Sequence, residues 1–233
     1  MIDEADISQE RRWFYEQCAR TVISNLQKKN MEGQYVSSRQ EALSTILEMI
    51  PPGAIVARGD GVTLAQIGIL SSLKKRNQNR LVDPFEPCTD DVYLTNVERK
   101  GREALSSDIF LTGTNAITLD GKLVNIDGMG NRVSAMIFGP KKVIVVAGVN
   151  KIVKDVNEAL ERVHQVAAPI NAKRHYSKHR RTELGGLPCV RTGRCIDCNH
   201  EFRICRYTVI IEGAMVRERG RINVVLVGEE LGI

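Results

Sequence analysis

Between residues 54 and 227, short apolar runs alternate with stretches of helical spacing. That alternation limits the fold more than any other feature of the chain. Residues 54–57, 107–112, 143–148, 207–211 and 222–227 read as strands, the clearest being the unbroken apolar run at 143–149. Stretches of helical spacing fall between several of them, notably 62–73 and 151–166, the latter with Ile152, Val153, Val156, Ala159, Leu160 and Val163 turned inward. Strands that alternate with helices predict an α/β fold with a mostly parallel sheet flanked by helices, since each helix returns the chain to start the next strand in the same direction. One antiparallel element is expected where Asp120-Gly121 joins two apolar runs, because Asp-Gly favours the tight turn of a hairpin.

The first fifty residues read as a helical segment packed on that core. Residues 7–30 place Trp13, Phe14, Cys18, Val22, Ile23 and Leu26 at helical spacing. Ser38 followed by Glu41 is a capping-box pattern opening a helix that Pro51-Pro52-Gly53 stops. The expected organisation is therefore residues 1–50 as N-terminal helices and 51–233 as the α/β domain. Residues 173–206 form an inserted basic, cysteine-rich module within it.

The chain has 233 residues, 42% of them hydrophobic, enough for one core. A bilayer span needs about 20 apolar residues, so the run at 143–149 is too short. The N-terminal stretch is acidic and lacks the apolar centre of a signal peptide, which predicts a cytoplasmic protein. The net charge is +5. Residues 173–194 carry Lys173, Arg174, Lys178, Arg180, Arg181, Arg191 and Arg194 against the single acid Glu183, so the surplus sits in one segment. Such a patch suits an anionic ligand or an acidic partner, or offsets anionic thiolates.

Within that module Cys189, Cys195, Cys198 and Cys205 follow the pattern C-x5-C-x2-C-x6-C. A reducing compartment disfavours disulfides, and four thiolates on one loop suit a soft metal centre. Zinc ribbons carry two C-x2-C knuckles, whereas only Cys195 and Cys198 form a close pair here. A 4Fe–4S cluster ranks ahead of structural zinc on this reading, although spacing alone does not select the metal. His200 lies inside the segment as a substitute ligand or a surface histidine. Cys18 reads as a small buried residue, and Cys88 as a lone loop cysteine.

Three turns suit an anionic substrate. Gly59-Asp60-Gly61, with Thr63 behind it, follows a strand and opens a helix, where backbone N–H groups favour a phosphate or carboxylate. Thr112-Gly113-Thr114-Asn115 and the loop Asp127 to Arg132, including Asn131, also lie at strand ends, where open α/β sheets place ligands. Arg132 would grip a carboxylate or phosphate through paired hydrogen bonds. Asp127 would act as a general base, or hold the loop. No complete phosphate-binding glycine signature and no Ser/His/Asp order is present.

The runs ThrGlyThrAsnAlaIleThr, AsnIleAspGlyMetGlyAsnArgVal and PheGlyProLysLysValIleValValAlaGlyValAsnLys resemble the LUD (lactate-utilisation) domain family, over residues 39 to 233. The resemblance implies a fold similar to the NagB/RpiA/CoA-transferase superfamily, and the C-terminal cysteine module resembles that of short, stand-alone members. If the superfamily pocket is retained, Asn150, Asn171 and His175 join its lining. The implied function is organic-acid metabolism of the lactate type, with a cysteine-ligated iron–sulfur cluster and an anion-binding, glycine-rich pocket. The competing reading is a redox or metal sensor, or an accessory electron-transfer subunit, with zinc in place of the cluster. Expected partners are a small anionic substrate, an iron–sulfur or flavin redox protein, and a second copy of the chain. A membrane is not expected. Nucleic acid ranks last because Tyr176, Phe202 and Tyr207 are the module's few stacking platforms.

Overall fold

The computed structural model describes residues 4–86, 89–179 and 181–233; Cys88 and Arg180 lie outside them. The chain opens with helix α1 (Ser8–Lys28), strand β1 (Glu32–Val36) and helix α2 (Arg39–Glu48). Next come β2 (Ile55–Arg58), α3 (Val62–Ile67), α4 (Ile69–Arg76), β3 (Arg80–Val82) and α5 (Asp90–Ala104). Strands β4 (Ile109–Gly113), β5 (Ala116–Thr118) and β6 (Leu123–Asp127) lead to α6 (Asn131–Ile137) and β7 (Lys142–Gly148). The C-terminal part holds β8 (Ile152–Val153), α7 (Val156–Arg162), α8 (Ala168–Lys178), α9 (Pro188–Thr192), β9 (Tyr207–Ile211) and β10 (Ile222–Val227).

Six strands form the main sheet in the order β1-β10-β7-β4-β2-β3, and every pairing in it is parallel. Its central strands are apolar on both sides, as a sheet covered on both faces requires. Val143, Val145, Ala147, Val224, Leu226 and Phe110 enter one core cluster. Ile144, Val146, Val225, Val227, Ile109 and Leu111 enter the other. A second sheet, ordered β8-β5-β6-β9, contains the Asp-Gly hairpin, with Ile117 facing Leu123. The expected architecture, a mostly parallel sheet flanked by helices, is thus present. Among the described residues no helix is long and apolar enough to cross a membrane.

Three local expectations change. Residues 1–50 are not helices alone: β1 pairs with β10 as an edge strand of the main sheet, which makes this segment part of the α/β domain. Helix α1 buries Ala19, Val22 and Leu26, but Trp13 and Phe14 are 64% and 55% exposed and Cys18 is half-buried. Those aromatics lie a turn or more beyond the part of the helix that meets the sheet. The helix expected over 151–166 starts only at Val156, because Ile152 and Val153 pair with Ile117 and Thr118 as β8. Asp155 then caps α7, accepting from the Asn157 and Glu158 amides. The Ser38 cap holds as read: its hydroxyl accepts from the Glu41 amide at 3.2 Å.

Candidate functional site

From β2 the chain runs outward to β3, and from β4 it proceeds toward β7, so connections leave these neighbours in opposite directions. A crevice at the carboxyl ends of the strands is expected at such a switch. One opens there, with a volume of about 210 Å³. It is smaller than the roughly 300–1,000 Å³ of pockets for drug-sized ligands, so it suits a molecule of few heavy atoms. Asp60, Gly61 and Thr63 follow β2, Gly113, Thr114 and Asn115 end β4, and Asp127, Asn131 and Arg132 follow β6. Asn171 and His175 approach from α8. These expected residues are brought together.

Gly59, Thr112 and Asn150 support the cleft from behind. A Cβ on Gly59 would sit 3.0 Å from Cγ of Arg132, so this glycine lets the arginine pass. The Thr112 hydroxyl donates to the Gly113 carbonyl at 3.0 Å. Oδ1 of Asn150 accepts from the Leu231 amide at 3.1 Å and ties down the C-terminal segment.

Arg132 and Asp127 are engaged with the protein itself. Nη1 of Arg132 donates to Oδ1 of Asn125 at 2.6 Å and to the Gly113 carbonyl at 3.3 Å. Nη2 donates to Oδ1 of Asn115 and to the Ile126 carbonyl, both at 3.1 Å. Nε lies 3.4 Å from Oδ2 of Asp127. Asp127 also accepts from the Met129, Gly130 and Val133 amides, the pattern of a carboxylate organising a loop and the first turn of α6. Both residues therefore serve the fold, with Arg132 joining β4, β6 and α6.

Sequence reading missed Lys151. It ends the short 3-10 turn after β7 and is only 5% exposed. Its Nζ donates to Oγ1 of Thr63 at 3.2 Å, with no ion pair among the described residues. Burial lowers its pKa to about 7, and the nearby Arg162 and Arg132 charges act in the same direction. Arg162 sits behind the site, donating to the Asn115 carbonyl at 2.7 Å and the Asn150 carbonyl at 3.2 Å, also with no carboxylate partner among the described residues.

At the opposite wall, Arg174 and His175 of α8 both hold Asp60. Arg174 forms a close ion pair with it, and Nε2 of His175 lies 3.3 Å from the same oxygen. Burial alone would raise the Asp60 carboxyl. The His175 hydrogen bond and the Arg174 and His175 charges outweigh that and hold it well below the usual carboxylate range. Arg174 and Arg181, part of the basic segment, are thereby drawn into the cleft wall, Arg181 pairing with Glu183.

The cysteine module packs on this wall. Cys189, Cys195, Cys198 and Cys205 all line one small, largely apolar void of about 20 Å³. Burial raises the Cys189 thiol, and the Cys198, Cys205 and Cys195 sulfurs add to the effect, so the other three lie within electrostatic range of Cys189. Nε of Arg203 donates to Sγ of Cys205 at 3.4 Å, and the Asp197 amide donates to Sγ of Cys195 at 3.4 Å. His164, rather than His200, approaches a cysteine, with Nδ1 3.6 Å from Sγ of Cys195. Among the described residues no group of three or more His, Cys, Asp or Glu side chains stands ready to hold a metal ion. Ile204 lines both the cleft and the cysteine void.

Fold and site together define a mostly parallel α/β protein with a polar cleft at the carboxyl end of its sheet. The chain belongs to the LUD domain family, whose sequence model matches residues 19–227. A DUF162 family protein from Deinococcus radiodurans shares the fold: 15% identity, 91% of this chain and 97% of that one covered, TM-score 0.51. The Pyrococcus horikoshii OT3 translation initiation factor eIF-2B is 17% identical over 52% of this chain and 50% of its own, with TM-score 0.38. For eIF2B delta from Chaetomium thermophilum the values are 15%, 62%, 54% and 0.32. No curated protein matches the chain.

Proposed function

We propose that the protein acts in organic-acid metabolism of the lactate type, binding a small 2-hydroxy or 2-oxo carboxylate in the cleft beside a four-cysteine iron–sulfur centre. The observation that carries this reading is the shared wall: four thiols line one void, and Ile204 separates that void from a cleft with surplus positive charge. Family membership supports the lactate-type assignment. The fixed charge of Arg162, unmatched by a carboxylate among the described residues, favours an anion through the low-dielectric wall. Side chains of Thr63, Asn131 and Asn171 line the cleft and offer polar groups to orient it. His175, held by Asp60, lines the cleft and adds a polar ring to the wall that a bound hydroxyl would meet.

What supports a cysteine-ligated centre is the chemistry of the donor set: four thiols line one void, and Arg203 and the Asp197 amide supply N–H···S contacts that stabilise anionic sulfur. The void of about 20 Å³ has room for about one water, so the thiols would have to part to admit a cluster. Cys189, Cys195, Cys198 and Cys205 would hold it, and when bound it would supply one-electron transfer. Oxidation of a 2-hydroxy acid releases two electrons, so a flavin or iron–sulfur partner completes the reaction.

Protein purified without oxygen tests this. About four irons and four sulfides per chain, with a broad visible absorption, are expected. One zinc and no sulfide would withdraw the electron-transfer reading and leave a structural module.

A further inference from the structure

The proposed reaction leaves one group in the cleft unused. Lys151 is a buried lysine with no acidic partner among the described residues, set at the end of the 3-10 turn that follows the central strand β7. Buried lysines are ordinarily paired, because an ammonium taken out of water without a counter-charge is strongly disfavoured. We infer that Lys151 is a covalent anchor whose amine adds to the oxo carbon of a small 2-oxo acid in the cleft. The inference rests on the carboxylate-binding reading above and deepens it by naming the reactive group and the carbonyl class.

The surroundings suit an uncharged amine. Burial disfavours an ammonium here, the Arg162 and Arg132 charges act in the same direction, and neither guanidinium yields its proton, so the lysine does. Thr63 is the hydrogen-bond partner of Nζ, the Gly232 backbone lies so near that a Cβ there would come within 2.7 Å of it, and Lys151 still lines the cleft. The other charged groups of the cleft, Asp60 with Arg174 and His175, and Asp127 with Arg132, are already paired with one another. An amine with a pKa of about 7 is half unprotonated at neutral pH. It therefore offers on the order of a thousandfold more free base than an ordinary lysine near 10.4.

The step balances without an oxidant or reductant. The amine lone pair forms a C–N bond to the oxo carbon while a proton moves from nitrogen to the oxo oxygen. Loss of water from that adduct then gives the imine. Fixed positive charge from Arg162, which has no carboxylate partner among the described residues, favours the substrate carboxylate during the addition.

Full-length protein is incubated with pyruvate and reduced with sodium borohydride, and the adduct is located by peptide mass spectrometry. Pyruvate binding is measured in parallel by its effect on thermal stability. The expected result is a reduced pyruvate adduct on Lys151, in large excess over any other lysine. It should be absent with L-lactate, which has no oxo carbon, and absent in Lys151→Arg. Mapping the wild-type adduct does not depend on any variant folding. Binding of pyruvate with no adduct at Lys151, or with adducts spread evenly over surface lysines, overturns the covalent role and leaves the carboxylate cleft standing. If neither pyruvate nor any other 2-oxo acid binds, the cleft reading fails and the inference with it.

Discussion

Replacing Arg132 by alanine should weaken the fold before it weakens ligand binding. The guanidinium donates to the Gly113 and Ile126 carbonyls and to the Asn115 and Asn125 side chains, and pairs with Asp127, while remaining 12% exposed. Hydrogen bonds to a charged group contribute about 1.5–3 kcal/mol each, but they share one side chain and do not add. Removing one partner of a buried ion pair costs about 3–5 kcal/mol. Asp127 keeps three backbone amides, which places the cost toward the lower end. Asn125 works against that: its Nδ2 already lacks a partner among the described residues, and the substitution strips its Oδ1 as well. A loss of about 3 kcal/mol follows, and at about 2–4 °C per kcal/mol for a chain of this size Tm should fall by about 6–12 °C. Arg132→Lys, retaining the charge but not the fork, should lose about half as much. Circular-dichroism melts and urea titrations measure both. A Tm within about 2 °C of wild type, with pyruvate binding abolished, would refute the structural assignment and return Arg132 to the role of substrate grip.

Lys151 should leave a signature in stability against pH. Its folded pKa of about 7 lies below the unfolded value of about 10.4, so between them the unfolded chain holds the extra proton. Stability should therefore rise with pH across that window, by up to about 1.4 kcal/mol per unit from this group. In Lys151→Met the rise should flatten; parallel urea-midpoint curves for the two proteins would show an ordinary lysine. Gly148→Ala should also destabilise, since the new Cβ would lie 2.4 Å from the Leu231 nitrogen and 2.6 Å from the Glu229 carbonyl oxygen. Overpacking of this kind costs about 1–3 kcal/mol, and hydrogen exchange should locate the loosening in residues 229–232. Unchanged exchange there would mean that the segment is not seated on Gly148.

The elements legible in the sequence are those whose burial is complete. β7 and β10 lie inside the sheet and are apolar at nearly every position, so their pattern is unmistakable. β1, with the sequence EGQYV, pairs on one side only and needs no such run, so composition hides it. β8 is two residues long and merges with the apolar spacing of the helix that follows. The cleft is legible as far as glycine-containing turns mark strand ends. Its charges are not. Lysine is almost never fully buried, so nothing local distinguishes Lys151 from a surface residue. Its environment is assembled by Thr63, Arg132, Arg162 and Gly232, all from other parts of the chain. Arg132 shows the opposite failure: its residue type suits an anion, yet nothing in the sequence says that backbone carbonyls already occupy its donors.

The segment 173–206, expected as an inserted module, forms one side of the cleft. Arg174 and His175 grip Asp60 from across the sheet's carboxyl edge, Arg181 and Leu184 complete the lining, and Ile204 backs it. The Arg206 amide donates to the Asp127 carbonyl at 2.9 Å, and a Cβ on Gly128 would lie 3.0 Å from the Ile204 carbonyl oxygen. The cysteine loop is thus fastened to the same turn that Asp127 and Arg132 organise. With the thiols on one side of Ile204 and the cleft on the other, ordering of the loop and shaping of the cleft rest on the same contacts. A centre bound by the cysteines as proposed, cluster or zinc, would therefore act on the cleft wall as well, through the packing the two share.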